Sequence, residues 1–310
     1  MIPLAPTTVV RPVLAEDIPA LQELVNRALA GAAYSLPMGE AEVQRQLLQP
    51  NPPGIYPVRW HDHGRLGAWR AGQLLGFLDV AIGRDSESLQ QGDGRPLGLI
   101  RFLVLPERRE LALEITDALL AAAHQYWRAA RVGRVRAFHL STGYPSFQMG
   151  AGILPGDWPE HFRTLTERGY RLLNRYYCLR RVMAQPVEEV TPMAELSLVQ
   201  RGSPDNRTYH LYRRTDPIGG ARLVCARFAA APAPLLVGHM TELVIAPDWR
   251  GRGIGKWLLW RLINDATLQG VHEMVAFVAH NWGPAITLLA QQGFQELSYR
   301  GYAFEKDLDD

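Results

Sequence analysis

The chain has 310 residues, of which 47% are hydrophobic and 21% charged, a composition typical of a folded globular protein rather than a disordered one. A net charge of +2 gives no sign of the clustered basic surface that nucleic-acid binding needs, and two cysteines are too few for a disulfide framework. Because no apolar run reaches the length of a membrane span and no signal peptide is recognised, we expect a cytoplasmic protein without membrane or nucleic-acid partners. At this length two domains are expected.

The first half of the chain predicts helices and strands in mixed order. Apolar residues at helical spacing indicate helices at 16–30, 40–49 and 110–128. Strands are predicted at 7–11, 97–105 and 135–140, with a hairpin over 67–82 that turns at Ala71 and Gly72. After a loop at 141–157, Asp157 is expected to cap a helix that ends at Gly169, and a β-rich run follows at 170–182.

The second half repeats this order in a shorter form, after a predicted linker at 184–192. The predicted elements are a hairpin over 207–228 with its turn at 216–220, a strand at 235–246, a helix at 254–268, a strand at 271–279, a helix at 284–292 and a last strand within 294–307. Three segments match between the halves in the same order, namely 103–109 with 244–250, 135–138 with 274–277 and 163–170 with 286–294. We therefore predict a duplication, with domains at 1–183 and 184–310.

A glycine-rich loop lies between the predicted strand at 235–246 and the predicted helix at 254–268. Glycines let backbone N–H groups approach an anion closely, and the unpaired first N–H groups of a helix favour negative charge. The loop departs from a Walker loop because Trp257 follows Lys256, and from a dinucleotide fingerprint because Lys256 stands where the third glycine is needed. The pattern predicts a phosphate-binding site formed by Arg250, Gly251, Arg252, Gly253, Ile254, Gly255 and Lys256.

The run Leu-Val-Ile-Ala-Pro-Asp-Trp-Arg-Gly-Arg-Gly-Ile-Gly at 243–255 resembles motif A of the GNAT acyltransferase superfamily. Downstream, Asn281, Ala285, Leu288 and the pair Gly293-Phe294 resemble that family's motif B. The resemblance implies an α/β fold of two tandem GNAT-like domains, each a mixed, mostly antiparallel twisted sheet flanked by helices, with splayed central strands. This tandem form resembles the architecture of the mycothiol synthases.

The resemblance also implies roles for individual residues. The backbone of Leu243, Val244 and Ile245 would pair with the pantetheine arm of acetyl-CoA, the amides from Gly251 to Lys256 would hold its pyrophosphate, and Asn281 would touch the cofactor. In the first copy, Ala112 and Glu114 stand where the second copy has Gly253 and Gly255. Because a carboxylate repels phosphate, we predict that the first domain does not bind CoA in the usual way.

The proton acceptor for an attacking amine is sought on the strand before the glycine loop, where the family often carries its base. His239 fits by its expected face, shared with Thr241, and by a side-chain type suited to neutral pH. Glu242 is expected on the opposite face and fits only if a β-bulge turns it into the cleft. The general acid stays open, because Leu288-Leu289 occupies the stretch in which the family places a tyrosine. Tyr299, Tyr302 or water could supply that proton.

We therefore expect an acetyl-CoA-dependent N-acetyltransferase, monomeric or homodimeric, that modifies a primary amine of a small molecule or peptide and needs no metal. The first domain carries two early helices for which the second has no room, and we expect it to supply part of the acceptor wall. Two alternatives stay open. One is a non-catalytic acyl-CoA-binding sensor, which the missing tyrosine favours, and the other is an unrelated phosphate-binding module.

Overall fold

The computed structural model describes residues 7–49, 59–84, 96–229 and 233–308. The chain divides into two compact units, each with its own hydrophobic core. The first unit comprises Met1–Arg175 and Gly301–Asp310, and the second comprises Tyr176–Arg300. These units are defined by contacts between residues. The predicted boundary between 183 and 184, which divides two copies of a repeat, stays a prediction.

The elements of the first unit are β1 (Val9–Pro12), α1 (Ile18–Leu29), α2 (Glu40–Val43), β2 (Arg59–Arg70), β3 (Gln73–Arg84), β4 (Leu97–Val104), α3 (Arg109–Ala129), β5 (Arg134–Ala137), β6 (Leu154–Pro155) and α4 (Pro159–Glu167). Those of the second unit are β8 (Leu196–Ser203), β9 (Asn206–Arg213), β10 (Asp216–Phe228), β11 (Leu235–Ile245), α5 (Ile254–Leu268), β12 (Glu273–Ala279) and α6 (Gly283–Gln291). Two strands run from one unit into the other, namely β7 (Arg171–Val182) and β13 (Gln295–Asp307).

Each unit has a mixed sheet with one parallel pair at its centre. The strand order is β1-β2-β3-β4-β5-β13 in the first unit, where β6 also pairs with β13, and β7-β12-β11-β10-β9-β8 in the second. The only parallel ladders among the described strands are short, joining 97–100 to 134–137 in the first unit and 237–239 to 273–275 in the second. β11 and β12 both continue beyond their ladder, so they splay apart, and in the first unit β4 continues beyond the end of β5. The predicted fold class is confirmed.

The closing strand of each half of the chain pairs within the other unit. Residues 176–182 of β7 pair with β12, which lies in the second unit. Residues 304–307 of β13 pair with β5, which lies in the first unit. The sequence pattern marks where a strand begins and ends but not which sheet it joins, so this exchange was not predicted.

Three details of the second half differ from the prediction. The hairpin turns at 214–215 rather than 216–220, because Arg214 takes a positive φ of 55° and a register irregularity absorbs the following proline and glycines within β10. Strand β8 was not predicted. The expected linker is docked on α5, where the Val187 N–H donates to Asn264 Oδ1 at 2.7 Å and Asn264 Nδ2 donates to the Val187 carbonyl at 2.9 Å.

In the first half, α4 begins one residue later than predicted. Trp158 rather than Asp157 is its N-cap, because the Trp158 N–H donates to the carbonyl oxygen of Pro155 and continues the preceding turn. The helix ends at Glu167, and Gly169, which was predicted to stop it, follows two residues later with a φ of 80°. The helix predicted at 40–49 is α2 followed by a single π-helical turn.

A buried ion pair ties the long loop at 141–157 to the sheet of the first unit. Arg101 and Asp79 are fully buried, with Arg101 Nη1 3.2 Å from Asp79 Oδ2. Arg101 Nε donates to the carbonyl oxygen of Thr142 at 2.9 Å, and the Tyr144 hydroxyl donates to Asp79. Burial raises the pKa of Asp79, against the opposing effect of the Arg101 charge.

Replacing Asp79 with alanine is expected to lower the free energy of unfolding by about 3–5 kcal/mol, because the Arg101 charge would stay in the core without its carboxylate. The matched control is Asp117→Ala, since Asp117 pairs with Arg168 at the surface and such pairs contribute about 0–1 kcal/mol. Urea unfolding of the two variants measures the difference. Equal destabilisation of the two would contradict this role of the buried pair.

Candidate functional site

The splay between β11 and β12 leaves one edge of β11 open. His239 is the last residue of β11 that pairs with β12, opposite Val275. From Met240 to Ile245, β11 pairs with β10 along its other edge, and this pairing skips Thr241. A strand with unpaired N–H and C=O groups is a template for an added extended chain. Residues Leu243, Val244 and Ile245, which the family pattern assigns to pantetheine, lie on this open edge.

The glycine loop and the start of α5 follow the end of β11. Gly251 and Gly253 have φ angles of 74° and 77°, in the left-handed region where a Cβ is strained. Gly253 is the N-cap, no side chain caps the helix there, and the Trp257 N–H is the donor to the Gly253 carbonyl. The N–H groups of Ile254, Gly255 and Lys256 come before this first turn closes, so they are placed to bind an anion.

The three basic side chains of the loop do different things. Arg250 Nε donates to the carbonyl oxygen of Ile245 at 2.9 Å and so fastens the loop to the end of β11. The Arg252 guanidinium lies 5.0 Å from the ring centroid of Trp249. Lys256 Nζ lies 4.7 Å from the ring centroid of Trp260. Stacking on tryptophans holds Arg252 and Lys256 beside the loop, where they add positive charge.

Asn281 lies in the exposed turn between β12 and α6. Because parallel strands have their carboxyl ends at the same edge of a sheet, this turn and the glycine loop lie at the same edge. Trp282 follows it as the N-cap of α6 and is 60% exposed. The residues predicted to touch the cofactor therefore lie along the open edge of β11 or at the sheet edge where β11 and β12 end.

A β-bulge in β11 changes the predicted faces of that strand. Arg222 of β10 pairs with Glu242, but Leu223 pairs with Met240, so Thr241 is an extra residue. Met240, Leu243 and Ile245 accordingly all pack with the core beneath α5. Glu242 therefore lies on the same face as His239, and the prediction that it lies on the opposite face is wrong. The bulge that the chemistry of Glu242 required is present.

His239 and Glu242 differ sharply in their exposure. His239 is 1% exposed, and its ring packs edge-on against Phe277 with centroids 5.2 Å apart. Glu242 is exposed and lines a cavity of about 220 Å³ together with Thr208, His210 and Val244. Of the two predicted bases, Glu242 is therefore the one that a solvent-borne amine can reach directly.

Arg222 lies beside Glu242 on the neighbouring strand. Its Nε donates to Asn206 Oδ1 at 2.9 Å. Burial lowers the pKa of Arg222, and the charge of Glu242 raises it to a smaller extent. The sequence analysis missed Arg222, Thr208 and His210. Polar residues at alternate positions of two predicted strands were the signal that could have found them.

The tyrosines considered as general acids are differently placed. Leu289 is buried in the core, in the stretch in which the family carries its tyrosine. Tyr299 belongs to the second unit, with its ring centroid 6.2 Å from that of Phe277. Tyr302 belongs to the first unit, where its ring packs edge-on against Phe162 at 5.4 Å.

In the first unit, a histidine contacts β4 beyond its ladder with β5. The matched segments place Leu103 at the position of Val244, and His161 Nε2 lies 3.1 Å from the Leu103 carbonyl oxygen, to which it donates. Burial lowers the pKa of His161 to about 4, so the ring is neutral near pH 7. A cavity of about 710 Å³ lies beside it, but no glycine occurs between β4 and α3. That this unit does not bind CoA in the usual way stays a prediction.

Two features of the described ranges bear on other kinds of site. No helix there is long and apolar enough to cross a membrane. No group of three or more histidine, cysteine, aspartate or glutamate side chains in those same ranges could hold a metal ion.

Comparisons with known proteins identify the fold. Residues 170–294 match the model of the acetyltransferase (GNAT) family. The chain is similar to the solved structure of a tandem GNAT protein from the clavulanic acid biosynthesis pathway, without acetyl-CoA, with a TM-score of 0.67, 18% identity and coverage of 98% of this chain and 100% of that one. No curated protein sequence matches the chain significantly.

Two further solved structures have a similar fold. A GCN5-related glucosamine N-acetyltransferase region of a fungal multi-domain β-N-acetylglucosaminidase gives a TM-score of 0.69 at 14% identity, over 98% of this chain and 38% of that one. A GCN5-related N-acetyltransferase from Sphaerobacter thermophilus gives 0.60 at 12% identity, over 97% and 95%. Residues 170–294 therefore match the acetyltransferase (GNAT) family, and the whole chain has the tandem form of the GNAT fold.

Proposed function

We propose that the protein is an acetyl-CoA-dependent N-acyltransferase whose active site lies in the second unit. One observation carries the proposal. The start of α5 is lined by glycines and has no side-chain cap, and it follows β11, whose edge toward β12 is open. The amides of residues 251–256 hold the pyrophosphate, and the open edge of β11 pairs with the pantetheine arm. Asn281 touches the cofactor from the turn after β12.

In the reaction, a neutral amine attacks the thioester carbonyl, a C–N bond forms, and the C–S bond breaks to release the thiol. Holding the thioester along β11 next to the cavity that Glu242 lines converts this attack into a reaction between positioned groups. Glu242 accepts the proton that the amine loses, directly or through one water, because its carboxylate lines that cavity. His239 is the alternative base, which a mobile water would have to connect to the amine.

Calorimetric titration with acetyl-CoA tests the donor site, and thiol release tests the reaction over a panel of polyamines, aminoglycosides, amino sugars and peptides. Binding without thiol release from any amine would favour a non-catalytic acyl-CoA sensor. The observation that supports this second candidate is the buried Leu289 in the stretch in which the family carries its tyrosine. Absence of binding would overturn both candidates.

Glu242→Gln is expected to lower kcat/KM for the amine about 100-fold, because the variant cannot accept a proton. The Kd for acetyl-CoA should stay unchanged. Glu188→Gln is the matched control, since Glu188 is exposed and lies outside the cavity. A fully active Glu242 variant, together with an inactive His239→Gln variant, would transfer the role of base to His239.

A further inference from the structure

Thr241 is the extra residue of the β-bulge in β11 and stands where that strand leaves β12. The pairing of β11 with β12 ends at His239, two residues before it. The pairing with β10 skips it, since Arg222 and Leu223 face Glu242 and Met240. A bulge redirects a side chain and is common beside active sites. Thr241 therefore lies at the apex of the splay, where a thioester held along β11 would reach its acceptor.

The hydroxyl group of Thr241 is buried and has no hydrogen-bond partner among the described residues. A buried polar atom without a partner destabilises the folded state, and in a native structure it requires an explanation. Valine has nearly the same shape as threonine and carries no polar atom. The hydroxyl group therefore adds nothing to the packing here, and a ligand that enters the splay is the partner that would account for it.

Acyl transfer is accelerated by a hydrogen-bond donor beside the carbonyl oxygen of the thioester. When the amine attacks, the carbonyl oxygen of the thioester becomes an oxyanion, and a fixed hydrogen-bond donor aimed at it lowers the barrier. Thr241 precedes the glycine loop by ten residues, so it lies at the splay rather than beside the amides that would hold the pyrophosphate.

We propose that the Thr241 hydroxyl donates a hydrogen bond to the acyl carbonyl oxygen of the bound thioester and stabilises the oxyanion. This inference rests on the proposed function. The hydroxyl keeps its proton throughout. The nitrogen forms its bond to the carbonyl carbon, the oxygen carries the charge, the C–S bond breaks as the carbonyl re-forms, and the thiolate takes a proton from solvent.

The test compares Thr241→Val and Thr241→Ser in the full chain. Thr241→Val should lower kcat about 100-fold and weaken acetyl-CoA binding about 5-fold while leaving the Kd of CoA, which has no acyl carbonyl, unchanged. The melting temperature without ligand should stay the same or rise, because the unpaired hydroxyl is gone. Thr241→Ser should stay within about 5-fold of the native enzyme in kcat.

Thr267→Val is the matched control, because the Thr267 hydroxyl is already bonded to the carbonyl oxygen of Ile263 at 2.8 Å. It should leave kcat and both affinities unchanged. If Thr241→Val does not fold, Thr241→Ala is measured against Thr241→Ser in its place.

A native-like kcat and a native-like ratio of acetyl-CoA to CoA affinity in Thr241→Val would overturn the inference alone, as would an equal loss of affinity for both ligands with a lower melting temperature. A native protein that binds acetyl-CoA but transfers no acyl group would overturn the enzymatic function. The affinity ratio would then still decide whether the hydroxyl contacts the acyl carbonyl. A native protein that binds neither ligand would overturn both proposals.

Discussion

Gly253→Glu is expected to weaken acetyl-CoA binding about 1,000-fold. The substitution places a carboxylate at the start of α5, where no side chain caps the helix and the pyrophosphate is proposed to bind. Two like charges about 4 Å apart repel by about 4 kcal/mol at an effective dielectric constant of 20, and about 1.4 kcal/mol is a tenfold change in affinity. Calorimetric titration of the variant with acetyl-CoA measures the effect.

Gly270→Glu provides the control for the backbone cost of this substitution. Gly270 has a φ of 76°, against 77° for Gly253, and lies just beyond the other end of α5 with open space around a built Cβ. Both variants therefore carry the same left-handed strain, but only one places a charge in the glycine loop. Unchanged binding in Gly253→Glu would contradict the proposed pyrophosphate site at the start of α5. An equal loss in the two variants would attribute it to backbone strain.

Helix α5, which follows the glycine loop, was predictable because the sequence pattern that indicates it is local. Its predicted bounds at 254–268 are the observed bounds of α5. Glycines stand at 253 and 270, and the residues between them are apolar at helical spacing. Phosphate binding at a helix start depends on these same few residues, so the candidate phosphate-binding site could be inferred without knowledge of the rest of the fold.

The face of β11 on which Glu242 lies could not be inferred in this way, because it depends on how β10 and β11 pair. Alternation along β11 alone places Glu242 opposite to His239, and one unpaired residue at Thr241 reverses that result. The hairpin turn shows the same limit. Pro217, Gly219 and Gly220 are typical turn residues, yet they lie inside β10 because Arg214 makes the turn.

Strand β8 escaped prediction for a different reason. Its side chains are mostly exposed, and only Leu196 and Leu198 pack against the core. An edge strand of this kind leaves a weak apolar pattern, since one of its faces is in solvent. The partner of β7 was likewise unpredictable, because the sequence of a strand indicates its length and its apolar face but not the strand with which it pairs.

The exchange of closing strands predicts the outcome of dividing the chain. A fragment of residues 184–310 is expected not to fold cooperatively, because it lacks residues 176–182, which pair with β12 over their whole length. β12 would keep only its three-residue ladder to β11, with its other edge open to aggregation. The fragment would also carry residues 304–307 without β5, their partner in the first unit.

A fragment of residues 176–300 is the matched comparison, because it keeps the β7 segment and omits the unpartnered tail. It retains Leu179, which packs in the core of the second unit, as well as the whole glycine loop. Circular dichroism during urea unfolding should therefore show a cooperative transition for 176–300 and none for 184–310. A cooperative transition of 184–310 at the same urea concentration would mean that β12 does not need β7. In that case the second half would be stabilised mainly by the packing of α5 and α6 on the sheet.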